Sequence, residues 1–293
     1  MKENHQIIVQ AVEYAFQECK RLRKVFTAIL FVTLCISLNA QCKLNEAVFK
    51  QGEEIEMNVY FHWGLLMPKA GSAVLSMDDD FLNGEKTFRQ RLIFKTTPFF
   101  DKVYSMRDTV DTHYDKDYTP LYYLKKADED DYFLWDEMKF HTENGITTVP
   151  TKRWDKNRTK IDTTHVVDGC LFDVLSVATF LRGLDKQSMT IGSEVPTNFI
   201  MGRDVIKVKY RYAGQEIIER GDKLYRTKKF YMDVYDNAVT QNKGALEIWL
   251  SDDKNQIPIK IRAKLKIGAA EAYFIQAKGL QYPFTSEIQI PRS

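Results

Sequence analysis

From Ile257 to Ile267 every odd position is apolar, while Lys260, Arg262, Lys264 and Lys266 hold even ones. A period of two belongs to a strand with one buried and one wet face. A slip of one residue would carry four charges into the core, so the register is strongly fixed. Pro258 donates no ladder hydrogen bond and belongs at the strand's start or on an edge. The basic ridge reads as a solvated face paired with carboxylates on neighbouring strands. Two more stretches share the period. Ile55, Met57, Val59, Phe61 and Trp63 alternate with Glu54, Glu56, Asn58, Tyr60 and His62, and Ile206, Val208, Tyr210 and Tyr212 alternate with Lys207, Lys209 and Arg211. One wet face per strand means an antiparallel sheet, and 15 Tyr and 18 Phe suit it. Between "LEIWL" and "IPIKI" lies "SDDKNQ", rich in turn-forming residues. Asp252 and Asp253 are therefore expected to form a hairpin corner rather than a pair of working carboxylates, and Trp249 to anchor the core or rim.

One segment has the helical period. "VVDGCLFDVLSVATFLRGL" places Leu171, Val174, Leu175, Ala178 and Leu181 or Leu184 on one stripe. Asp168 or Gly169 is the expected cap at its start and Gly183 lies near its end. No Pro- or Ser-rich linker divides the strand-rich halves on either side. The fold expected is mainly β: a large curved antiparallel sheet or incomplete β-barrel with one central helix, about 170–184, packed on it.

The N-terminal region reads differently. Lys20, Arg21, Arg23 and Lys24 precede an apolar run from Val25 to Leu38, and Ala40 offers a small residue for cleavage. That is the pattern of a secretory signal, with a run too short for the roughly 20 residues of a membrane span. Residues 1–19 stand in front of the basic run, which suggests initiation near Leu22. The expected division is 1–40, extension and signal peptide, and 41–293, a single β-rich domain in the periplasm or associated with an outer membrane. Residues 1–40 carry the whole basic excess of the chain, so 41–293 has no surplus to bind nucleic acid. Of the four cysteines, Cys42 and Cys170 follow the signal. They would be free to pair in an oxidising compartment, and Cys42 is also a weak match to a lipidation site.

Motifs for chemistry are absent. The chain has no GxSxG, GxxxxGK, HExxH or CxxC pattern. His113, Asp115 and Asp117 stand two apart, but the following Tyr-Thr-Pro reads as a turn. Asp78–Asp80 and Asp128–Asp131 read as solvated turns, without the spacing of a calcium loop. No cofactor and no metal site is expected.

The order of "GEEIEMNVYFHWGLLMPKAGSAVL", "CLFDVLSVATFLRGL" and "LEIWLSDDKNQIPIKIRAKLKIGAAEAYF" resembles the bacterial family called domain of unknown function 3108, over about residues 48–280. Gly52-Glu53, Trp63-Gly64, Gly71, the Asp173–Arg182 helix, Trp249 to Asp253 and Pro258 carry the likeness. The family has no established activity, so no functional residue carries over. Gln41 after Ala40, with the aromatic sheet, is similar to exported Bacteroidetes proteins. A remoter likeness, to periplasmic lipoprotein carriers of the LolA and LolB type, implies a curved sheet with a helix against its hollow face. Three functions fit. The first is a non-enzymatic structural or interaction module with an envelope protein partner. The second binds an apolar lipid or lipoprotein acyl chain in the hollow, lined by Met57, Val59, Phe61, Trp63, Leu175 and Trp249, with a peripheral membrane contact. The third is an envelope enzyme working through His62, His113, Asp115 or His141.

Overall fold

The computed structural model of the protein describes residues 48–288, apart from 63, 187, 237, 238 and 267. The expected signal, Cys42, Trp63 and Ile267 lie outside the described residues. The described residues all belong to one unit, Gln41–Ser293.

Before the helix come β1 (Glu53–His62), β2 (Lys69–Leu82), β3 (Glu85–Thr96), β4 (Arg107–Tyr114), β5 (Pro120–Glu129), β6 (Tyr132–Lys139), β7 (His141–Glu143), β8 (Ile146–Trp154) and β9 (Thr159–Asp168). After α1 (Val174–Arg182) come β10 (Glu194–Met201), β11 (Asp204–Arg220), β12 (Lys223–Asp236), β13 (Val239–Ser251), β14 (Pro258–Lys264), β15 (Ala269–Lys278) and β16 (Glu287–Ile288). The strands form one antiparallel sheet in the order β10-β11-β12-β13-β14-β15-β1-β2-β3-β4-β5-β6-β8-β7, with β9 on β8 and β16 on β12. β1 pairs β15, so the first strand and the last long strand meet mid-sheet and join the two halves.

Strand pairing does not close this sheet into a barrel. Between β9 and β10 runs the connector to the helix. Phe172 donates its N–H to Asn198 O and accepts from Ile200 N, at 3.1 and 2.8 Å, a single parallel bridge to β10. Farther along, the β10–β11 turn reaches across, with Arg203 Nη2 donating to Lys160 O at 2.7 Å. At Asn198 and Ile200 the edge of β10, which would otherwise invite pairing with another chain, is covered by its own connector.

That connector also explains where the helix starts. Residues before Asp173 are held extended by the bridge, so neither Asp168 nor Gly169 is the cap. Asp173 is: its carboxylate accepts from Leu175 N and Ser176 N, and its own N–H donates to Ser176 Oγ. Thr112 Oγ1 of β4 donates to the same carboxylate at 2.9 Å, tying the cap to the sheet. The helix ends at Gly183. Val177 and Leu181 pack on Phe199, Tyr210, Phe230 and Ile248 of one half-sheet, while Leu175 packs on Val110, Tyr123, Met138 and Val149 of the other.

Two expectations need correction. β14 stops at Lys264, because Leu265 N donates to Gly268 O and closes a turn; Leu265 is therefore exposed in that turn. Asp78–Asp80 lie inside β2, where Asp79 pairs Lys86 and Asp80 pairs Arg89 across the hairpin; the turn itself is Asn83-Gly84, both at positive φ. Half of the expected basic ridge is cross-strand paired, Lys260 with Glu271 and Arg262 with Glu247 and Glu271; Lys264 Nζ donates to Lys243 O and Lys266 is exposed in the turn.

Candidate functional site

A cavity of about 290 Å³ lies between α1 and the concave face of β1, β2, β3, β13, β14 and β15. Its walls are nearly all apolar. Ile55, Met57, Ala73, Leu75, Leu92, Ile248, Leu250, Ile261 and Ala272 come from the sheet, and Val174, Leu175, Ala178 and Leu181 from the helix. The helical stripe explains the second set: Val174 and Ala178, four apart, share a face and remain exposed although they face the sheet. Ala73, Leu75, Leu92, Ile261 and Ala272 are only half-buried. Helix and sheet thus do not fill the space between them.

Three polar side chains border the cavity. Gln90 Oε1 accepts from Thr179 Oγ1 at 2.6 Å and from Tyr114 Oη at 2.8 Å. Arg182 forks onto Glu53, with Nη1 to Oε1 at 2.7 Å and Nη2 to Oε2 at 3.1 Å. Its Nη2 also donates to Asn255 O at 3.0 Å, and its guanidinium lies 4.3 Å over the Phe49 ring. The Arg182 Nε–H is buried and has no partner among the described residues. These groups fix the helix and leave one donor over; no acid–base pair converges here.

A second, polar pocket of about 440 Å³ is lined by Leu184, Asp185, Lys186, Lys228, Asp252, Asp253 and Tyr282, among others. Its acids are committed. Asp252 is held by Lys228 at 3.1 Å and by Gln215 Nε2 at 2.7 Å. Asp253 Oδ1 accepts from Ser251 Oγ, Asn255 N and Gln256 N, and Oδ2 from Thr285 N. The two carboxylates diverge, one to the sheet and one to the corner and the chain's end. Lys186 Nζ is buried, and burial pushes it well below the usual lysine range, with Lys228 and Arg182 adding to the effect. It donates to Arg182 O and Leu184 O at the helix's end. No sequence signal marks it out, because a lysine after a helix usually reads as a partner for the last carbonyls.

Met57 and Leu175 line the apolar cavity; Val59, Phe61 and Trp249 do not. Val59 and Phe61 lie farther along β1, past the cavity, where Val59 faces Gly71 and the register then shifts. Alternation puts Trp249 on the face opposite Ile248 and Leu250. Its ring sits between Lys229 Nζ at 4.5 Å and Lys260 Nζ at 4.9 Å, and Nε1 donates to Glu216 at 2.8 Å. His62, His113 and His141 lie on β1, β4 and β7, and Asp115 accepts from Asp117 N and Thr119 N in a turn. The fold does not bring these four together, and among the described residues no cluster of His, Cys, Asp and Glu could hold a metal. Ala73, Leu75, Leu92 and Ala272 were missed as wall residues. Ala and Leu on strands carry no signal of a hollow without knowing which strands curve round the helix.

The family described as "Protein of unknown function (DUF3108)" matches residues 54–275. The chain belongs to this family. The residues on which the sequence resembles this family are parts of the frame just described: Glu53 and Arg182 pair, Asp173 caps the helix, and Asp253 organises the corner. Gly71 fits because a Cβ there would lie 2.4 Å from Lys95 O and 2.9 Å from the Phe94 ring. The crystal structure of a beta-barrel-like protein of domain of unknown function DUF1849 from Brucella abortus is similar, with a TM-score of 0.54 at 11% identity, over 79% of this chain and 99% of that one. At that identity the likeness is one of fold. A search of curated proteins finds no match.

Proposed function

We propose that this DUF3108 protein is an exported, non-enzymatic binder of one small apolar chain, held between α1 and the concave face of the sheet. The observation that carries the reading is the apolar cavity of about 290 Å³. That is roughly twice the 150 Å³ of an engineered apolar cavity that holds benzene, and close to the lower end of ligand pockets, about 300 Å³. The size suits a single acyl chain and is too small for the several chains of a lipoprotein anchor.

Export is supported by the signal-like N-terminal segment and by Cys170, which is disulfide-bonded. Disulfides persist in oxidising compartments. Among the described residues no helix is long and apolar enough to cross a membrane.

The test is native mass spectrometry on protein purified gently from its own cells. An adduct that organic extraction removes, and that a long-chain fatty acid restores, is the expected result. A bare mass that stays unchanged after incubation with fatty acids and envelope lipids would overturn the reading and favour an interaction module.

A further inference from the structure

Three turns at one end of the sheet project apolar side chains into water. The β1–β2 turn carries Leu65 and Leu66, exposed to 103% and 63%. The β3–β4 loop carries Phe99 and Val103, at 68% and 76%, and the β14–β15 turn carries Leu265 at 47%. Met67 and Tyr104 add smaller exposed areas. Single exposed apolar residues are ordinary, but a contiguous group marks a contact surface.

The register makes them contiguous. β14, β15, β1, β2, β3 and β4 are consecutive in the sheet, so these three turns sit side by side. His62 faces Ala269, Tyr60 faces Lys69, and Thr97 N donates to Ala70 O. Those links set all three turns at one level.

Charge identifies the occupant. Lys69, Lys95, Lys102, Lys264 and Lys266 flank the three turns and are exposed. Of the acids beside the β3–β4 loop, Asp101 is paired with Arg107 at 2.6 Å and Glu129 with Tyr104 at 2.7 Å and Lys125, while Asp130 accepts from Ser105 N of the loop at 2.7 Å. The acidic turn Asp130-Asp131 bounds the patch beyond β4. Apolar tips in front of a row of lysines fit a bilayer with anionic headgroups, where the tips enter the acyl boundary and the ammonium groups meet phosphates.

We propose that this end of the sheet docks on anionic membrane surfaces through Leu65, Leu66, Phe99, Val103 and Leu265. The proposal stands apart from the cavity: a protein with an empty hollow would still dock. It is tested with the protein as its own cells make it, mixed with vesicles of phosphatidylcholine with or without phosphatidylglycerol. Co-sedimentation gives affinity, and hydrogen exchange locates the contact. Stronger binding to the phosphatidylglycerol vesicles is expected, with exchange slowed in 64–69 and 97–106. The double substitution Leu65→Glu and Leu66→Glu should weaken binding roughly tenfold or more without changing the thermal midpoint, because both side chains are in water. Lys69→Glu with Lys102→Glu should remove the preference for phosphatidylglycerol. Binding that the leucine substitutions leave unchanged, or slowed exchange confined to other segments, would overturn the proposal. So would self-association in sedimentation velocity, abolished by those substitutions, in a protein that binds neither vesicle.

Discussion

Arg182 and Glu53 are both almost sealed from solvent, with side-chain exposures of 4% and 3%. Removing one partner strands the other charge in a low-dielectric site, which typically costs about 3–5 kcal/mol. Arg182→Met should therefore lower the stability measured by denaturant titration by about that much, and adding Glu53→Gln should restore part of it. A second residue sets a pH dependence. Burial pushes the His113 imidazole below its usual range; Asp80 and Asp111 oppose the shift, and Arg89 and Arg91 add to it. The unfolded chain then binds a proton that the folded one resists. Stability supplied by this site is full above about pH 6.5 and falls as the pH drops from there through the folded value. His113→Gln, keeping a partner for Thr87 Oγ1 at 3.0 Å, should flatten that part of the stability-against-pH curve. An unchanged slope would assign the dependence to other groups.

At the scale of elements, the corner between β13 and β14 ties distant parts of the chain together. Asn255 is fully buried; its side chain donates to Tyr282 O and Pro283 O and accepts from Tyr282 N, while its carbonyl accepts from Arg182. One loop therefore fixes both the helix's end and the chain's last described turn. Asn255→Ala unpairs the part-buried backbone groups of Tyr282 and Pro283 and should cost about 1–3 kcal/mol. Hydrogen exchange in 282–288 should accelerate, whereas exchange in β2 and β3 should change only as far as global stability does. Much at this scale was legible beforehand. Alternation located β1, β11 and β14, because a half-buried strand writes its two faces into the sequence. Turn chemistry located the corner, because Asp253 bonds its own nearby backbone. The helix was placed correctly and its cap was not: the Phe172 bridge to Phe199 is a long-range contact, and it decides where helical backbone can begin.

For the whole molecule, the hollow was foreseeable as a consequence of curvature, and its lining was not. Met57 could be named from its strand face and Leu175 from its stripe. Trp249 is buried as a core anchor, but its parity places it on the face opposite the cavity, in the column of Lys229, Lys260 and Tyr273. If the cavity is a ligand site, filling it should abolish binding without harming the fold. Ala178→Phe projects a ring into the empty volume and should remove the adduct in native mass spectrometry while leaving the thermal midpoint unchanged or higher. Loss of both adduct and stability would mean the hollow has less room than its geometry gives. Cys170→Ser, which removes a disulfide, should cost about 2–4 kcal/mol in non-reducing conditions, and the same loss should follow from reducing the unsubstituted protein. The seam between β9 and β10 has a mechanical consequence. A fully laddered barrel resists widening with every rung. Here the circumference is held at that point by the two backbone hydrogen bonds of Phe172 and by the reach of Arg203 to Lys160. The wall is laddered strand to strand except along one line, and the residue that fastens that line stands directly before the cap of the helix. Slackening the fastening would let the girth increase and the helix lift in a single motion, with every strand ladder intact.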